Sequence, residues 1–199
     1  MLHELALKHG TDKAGHGYMP HYERYFAPLK DEAFNLLEIG VHLGASLRMW
    51  RDYFPNAIIH GIDNVPQKKE LEEDRIDIHI GSQTDGAFLF NVANMYPFKV
   101  VIDDGSHKWA DQITSFELLF PMLAHGGIYA IEDLHTSYHL QFGGLGQMNT
   151  VCYLVQCLNE MNAWGRTYGG LPRQIEPGYY EQNIAGIIFH KSICFILKK

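Results

Sequence analysis

The chain has 199 residues, is 46% apolar, and carries 11 Tyr, 11 Phe and 3 Trp. That is the length of one domain with a substantial core, which excludes a disordered tail, a collagen-like chain and a disulfide miniprotein. With 16 Lys and Arg against 23 Asp and Glu the formal net charge is -7, and without a basic run a nucleic-acid partner is not expected. No stretch reaches the roughly 18 consecutive apolar residues of a bilayer span. Met1-Leu2-His3-Glu4 is a poor start for a secretory signal, so a soluble cytoplasmic protein with no membrane partner is expected. Cys152, Cys157 and Cys194 fall in segments that read as helix or strand, and all three are expected to be buried, reduced thiols.

In chain order, residues 1 to 34 precede the first apolar run and form an arm rich in His, Tyr and Gly. Residues 35 to 40 read as a strand closed by glycine, and 45 to 54 as a helix with Leu47, Trp50 and Phe54 on one face. The pattern repeats as strand 57 to 63, a charged helix 67 to 74, strand 76 to 80 and helix 85 to 95. Then come strand 98 to 103, a long helix 109 to 123 and strand 127 to 132. A helix from Asn149 to Trp164 and a Gly/Pro-rich stretch to Pro177 come next. Two apolar runs, 184 to 189 and 193 to 197, read as an antiparallel hairpin. Strands separated by helices demand parallel neighbours joined by crossovers. The expectation is a doubly wound, Rossmann-like, mostly parallel α/β sheet of about seven strands, as one domain over 35 to 199 with the arm as a lid.

Ligands of open α/β sheets bind beyond the carboxyl ends of the strands. The first such end reads Glu38-Ile39-Gly40-Val41-His42-Leu43-Gly44-Ala45-Ser46. Gly40 permits a sharp turn and close approach to a ligand, and Gly44 a close helix packing; a plain strand-helix turn is the competing reading. Asp63 ends the second strand, where a carboxylate can accept both hydroxyls of a ribose or simply cap the next helix. After the third strand, Gly81-Ser82-Gln83 supplies polar atoms for an adenine edge.

The fourth strand ends in Asp103-Asp104-Gly105-Ser106-His107 and the fifth in Glu132-Asp133. Carboxylates on neighbouring strand ends repel unless a cation lies between them, and an all-oxygen set selects a hard ion such as magnesium. Asp and Ser are also favoured before a helix, but capping does not account for the second acidic pair. His107, three residues past Asp104, is placed to act as a general base, with His135 and His139 as second candidates.

Glu38-x-Gly40-x3-Gly44-x-Ser46, Asp63 and Gly81-Ser82-Gln83 resemble the S-adenosylmethionine site of small class I O-methyltransferases, distantly including catechol O-methyltransferase. The DDGSH run with the later Glu-Asp, and Gly10-Thr11-Asp12-Lys13 followed by His16-Gly17-Tyr18 and Tyr22, resemble a subgroup. Its members are the metal-dependent enzymes that methylate sugars of macrolide and related antibiotics, of the macrocin and mycinamicin type. The resemblance implies the class I methyltransferase fold and the cofactors S-adenosylmethionine and Mg2+. It implies cofactor contacts from Glu38, Gly40, Gly44, Ser46, Asp63, Ser82, Gln83 and Asp103, metal ligation by Asp104, Glu132 and Asp133, and His107 as base. The expected substrate is a small-molecule hydroxyl on a sugar of a glycosylated natural product, with a cephalosporin-hydroxylase-like or other metal-dependent enzyme on the same fold, or a non-catalytic S-adenosylmethionine-binding module, as the competing readings. Acceptor selectivity is expected from residues 1 to 34, from 134 to 183, where His135 to Gly146 with Tyr138 and Phe142 reads as a flap, or from a neighbouring subunit of a homo-oligomer. Tyr18, Tyr22, Tyr25 and Phe26 are candidates for a stacking lid, with Tyr25 and Phe26 expected to pack on the sheet instead.

Overall fold

A computed structural model describes residues 1 to 162 and 176 to 199. The described residues build a seven-stranded sheet in the order β3-β2-β1-β4-β5-β7-β6. The strands are β1 (Asn35–Ile39), β2 (Ile58–Asp63), β3 (Ile76–Ile80), β4 (Phe98–Asp103), β5 (Ile128–Ile131), β6 (Ile184–His190) and β7 (Ile193–Lys198). The first five run parallel, and β7 pairs antiparallel with both β5 and β6. This is the expected architecture. The helices are α1 (Leu2–His9), α2 (Met19–Phe26), α3 (Ala45–Tyr53), α4 (Gly86–Met95), α5 (Trp109–Leu119), α6 (Thr150–Met161) and α7 (Tyr179–Asn183). Among the described residues no helix is long and apolar enough to cross a membrane.

Strand side chains alternate between two cores, as a period of two requires. Leu36, Val100, Ile102 and Ala130 face a cluster built with α1, α2 and α3. Leu37, Val101, Tyr129 and Ile131 face a cluster built with α4, α5 and α6. Both faces of the central strands are buried, which is why β1, β4 and β5 read as continuous apolar runs.

Several local expectations are corrected. Residues 67 to 74 form no α-helix; a 3-10 turn over Pro66–Leu71 takes their place. The chain then closes a tight turn through a Glu73–Ile76 bridge with Arg75 in the left-handed region, leaving no length for helical turns before β3. The long helix after β4 stops at Leu119, two residues before Pro121, whose ring nitrogen has no N–H to donate to the carbonyl four residues back. Cys152 is exposed on α6 while Cys157 and Cys194 are buried, so one of the three thiols departs from expectation. The expected helix end at Trp164 lies outside the described residues, as does most of the Gly/Pro-rich stretch.

The largest departure is at the N-terminus. Residues 1 to 29 contribute Leu2, Ala6, Tyr18, Met19, Tyr22, Phe26 and Leu29 to the same core as the sheet. The Tyr22 ring sits 4.9 Å from Trp50 and 5.3 Å from Phe195, edge to face. Tyr22 and Phe26 are therefore core residues, and of the four lid candidates Tyr18 lines a cavity.

Candidate active site

The parallel register places Ile39, Asp103 and Ile131 side by side at the carboxyl ends of β1, β4 and β5. The ladder runs one residue further, since Asp104 N–H donates to Ile39 O and Glu132 N–H to Asp103 O, both at 3.0 Å. Asp104, Glu132 and Asp133 are thus brought to one sheet edge by backbone pairing alone. Gly40 makes the approach possible: a Cβ there would lie 2.2 Å from the Asp104 carbonyl oxygen, and its φ is +96°. Gly44 has φ +73°, yet a Cβ would meet only the Arg48 side chain at ordinary distance. Left-handed backbone, rather than close helix packing, explains the glycine at 44.

The edge opens into three cavities. One, of about 220 Å³, is lined by Gly40, Asp63, Ser82, Gln83, Gly105 and Ser106. It merges through Gly40, Asp63 and Gly105 into a second of about 580 Å³, lined by Thr11, Ser46, Lys68, Asp104, His107 and Asp133 among others. The third, about 750 Å³, is walled by apolar and aromatic groups including Tyr18, Leu134, Tyr138, Val155 and Phe189. Asp133 lines both the second and the third cavity.

Asp63 accepts from Val41 N–H at 3.1 Å and Val65 N–H at 2.9 Å, so its carboxylate is fixed at the mouth of the first two cavities. Gln83 accepts from Ser106 N–H at 2.8 Å and donates to Asp103 at 3.3 Å. Asp103 itself lines no cavity. It is fully buried among Ser115, Gln83 and Gly105 N–H, and burial pushes its carboxyl up to about 7. Glu38 is likewise buried and lines no cavity, because its Oε2 accepts from Trp50 Nε1 at 2.9 Å. These two acids, expected at the cofactor, stand behind the cavity wall instead, where they hold the loops that line it.

Ligand atoms of Asp104, His107 and Asp133 lie within 4.8 Å of one another. His107 Nε2 is 3.6 Å from Asp133 Oδ2, and the buried His107 Nδ1 has no hydrogen-bond partner. Tyr18 donates to Asp133 Oδ1 at 2.6 Å. His107 and Asp133 both have left-handed backbone, at φ +58° and +55°, as do His42 and Ser192 on the cavity walls. Each such residue costs on the order of 1–3 kcal/mol and persists where the surroundings dictate it, which happens often at functional sites. Glu132 is not part of this convergence. It is 1% exposed, and its Oε1 takes Tyr22 OH and, at 2.8 Å, Lys13 Nζ. His135 lines the third cavity and bonds Ser192 Oγ at 2.7 Å, whereas exposed His139 lines none of the three.

The residue to which sequence reasoning gave no role is Lys13, quoted there only as the end of a Gly-Thr-Asp-Lys run. Its ammonium contacts Glu38 at 3.1 Å, Glu132 at 2.8 Å and Asp104. Burial alone would push it down; Glu132, Glu38 and Asp104 outweigh burial and hold it well above the usual lysine range. The signal available in sequence was one lysine in an otherwise small and acidic Gly-Thr-Asp-Lys run.

Two carboxylates and an imidazole meet at one edge, and one imidazole nitrogen is buried without a partner. This donor set fits a hard divalent ion. Sheet order, glycine turn, ribose-height carboxylate and strand-end acids together define a class I methyltransferase core.

Comparisons with known proteins agree. No family model matches the chain. Mycinamicin VI 2''-O-methyltransferase of Micromonospora griseorubida is 36% identical over 99% of this chain and 52% of its own length. Demethylmacrocin O-methyltransferase of Streptomyces fradiae is 37% identical over 99% of the chain and 53% of its own. A solved structure of the MycE methyltransferase in complex with Mg and SAH superposes with a TM-score of 0.91 at 35% identity, covering 99% of this chain and 54% of that one. The chain belongs to this family of sugar O-methyltransferases, and it spans about half the length of the curated relatives it matches.

Proposed function

We propose that the protein transfers a methyl group from S-adenosylmethionine to a hydroxyl of a sugar on a glycosylated natural product, in a magnesium-dependent reaction in the cytoplasm. The observation that carries this reading is Asp133, which borders both the polar groove beneath Gly40 and Asp63 and the large apolar cavity. The groove suits a nucleoside cofactor and the apolar cavity a bulky acceptor, so transfer would take place beside Asp133, His107 and Asp104. Relatives support the assignment: a further MycE structure holds Mg, SAH and mycinamycin VI together.

In this reading Asp63 accepts the ribose hydroxyls, while Ser82 and Gln83 face the adenine. Gly40 and Gly44, with Ser46, shape the groove. Asp104, Asp133 and Glu132 would hold the divalent ion. The ion, when bound, lowers the pKa of an acceptor hydroxyl. His107 Nε2 takes that proton as the oxygen attacks the sulfonium methyl and the carbon–sulfur bond breaks. Asp133, 3.6 Å away, stabilises the imidazolium that forms. Residues 1 to 34 form part of the acceptor wall through His16 and Tyr18.

Calorimetric titration with S-adenosylmethionine, with and without magnesium, tests the reading. Binding in both conditions, weakened strongly by Asp63→Ala, is expected. Absence of binding to the wild-type chain would defeat it.

A further inference from the structure

Lys13 is 1% exposed, and the methyl-transfer scheme makes no use of its charge. Its contacts are selective: it bonds Asp104 at Oδ2 and Glu132 at Oε1, and the Tyr22 hydroxyl donates to the same Glu132 oxygen. Tyr18 donates to Asp133 at Oδ1. Each of the three strand-end carboxylates is therefore gripped at one oxygen by a side chain from residues 13 to 22. The other oxygen of each is left outside those contacts. A carboxylate held at one oxygen cannot turn freely, and groups that hold ligands in this way normally fix their orientation toward an ion. A third partner, Glu38 at 3.1 Å, stands behind the cavity wall and anchors the ammonium away from the groove.

We propose that Lys13, with Tyr22, is a positioning residue of the metal site: the N-terminal arm presets the orientation of Asp104 and Glu132 so that a divalent ion meets oxygens already in place. This rests on the metal reading of the proposed function. The competing role for such an ammonium is a placeholder, a cation that occupies the site and must be displaced by the ion. The two roles predict opposite signs. Loss of a group that orients ligands weakens metal binding roughly 10- to 100-fold, whereas loss of a competing cation strengthens it.

The experiment is calorimetric titration of Mg2+ into the S-adenosylmethionine-saturated chain, for wild type, Lys13→Met and Tyr22→Phe, with circular dichroism to confirm the fold. The expected result is Mg2+ binding by wild type, weakened roughly 10- to 100-fold in Lys13→Met and to a smaller extent in Tyr22→Phe. Unchanged or tighter Mg2+ binding in the folded variants would overturn the proposal. Should Lys13→Met not fold, Tyr22→Phe, which removes one hydroxyl and keeps the ring, decides by the same criterion. Failure of wild type to bind Mg2+ would overturn the metal reading itself, and that outcome is visible without any variant.

Discussion

Tyr18 and Asp133, 115 residues apart in sequence, are joined by a 2.6 Å hydrogen bond that ties the N-terminal arm to the end of β5. The acceptor oxygen belongs to the residue shared by the polar groove and the apolar cavity, so the arm is connected directly to the place where transfer is proposed. Tyr18→Phe keeps the ring on the cavity wall and removes the donor. A hydrogen bond to a charged acceptor contributes about 1.5–3 kcal/mol, and partial exposure of Asp133 places the expected loss near the lower end. Denaturant unfolding of the variant checks it; an unchanged midpoint and slope would mean the bond adds nothing net.

His107→Ala separates chemistry from binding. Turnover is expected to fall roughly 100-fold or more, because a positioned general base typically contributes that much. Affinity for S-adenosylmethionine, read by calorimetry, should remain nearly unchanged, since Ser82 and Gln83, proposed to face the adenine, line a cavity that His107 does not border. Full turnover in the variant would remove His107 from the mechanism.

Gly40→Ala tests the turn that brings β1 against β4. The added Cβ would meet the Asp104 carbonyl at 2.2 Å, on a backbone with φ +96°. Left-handed strain and overpacking together are expected to cost about 2–4 kcal/mol. Thermal melts would record the loss, and a wild-type melting temperature would contradict the described contact.

Acid sensitivity is expected from β2. His60 is fully buried, with Nδ1 3.1 Å from His79 Nε2 and Nε2 3.2 Å from Asn35 Oδ1, and burial, then the neighbouring His79, pushes its pKa down to about 4. Below the ordinary histidine value the unfolded chain takes up a proton that the folded chain refuses, so stability falls as pH drops from about 6.5 toward 4. From pH 7 to pH 5 the unfolding free energy should decrease by about 2 kcal/mol through this residue. The half-buried side chain of His79 shifts in the same direction, again through burial. His60→Phe should flatten the slope; an equally steep profile would assign the acid response elsewhere.

The sheet was legible because its strands are short apolar runs closed by Gly or Asp, and because burial on both faces leaves little room for polar residues within them. The strand-end acids were legible for the same reason, as interruptions at predictable places. The roles of Lys13, Tyr18 and Tyr22 were not, because the hydrogen bonds of Lys13 to Asp104, Tyr18 to Asp133 and Tyr22 to Glu132 span 91, 115 and 110 residues and nothing local marks a buried lysine or a bonded phenol. The run 67 to 74 looked helical by its charges, but the Glu73–Ile76 bridge and the left-handed Arg75 made a turn of its end. Cofactor contacts for Glu38 and Asp103 followed from the family resemblance and their strand-end positions. Side-chain direction decides such cases: Glu38 points back to Trp50 and Asp103 to Ser115.

The most direct test of the account is methyl transfer from labelled S-adenosylmethionine to a panel of deoxysugar glycosides, run in Mg2+ and in excess EDTA. The account predicts incorporation of label into a sugar hydroxyl in Mg2+, its loss in EDTA and its return when Mg2+ is restored. Incorporation that persists undiminished in EDTA would contradict it.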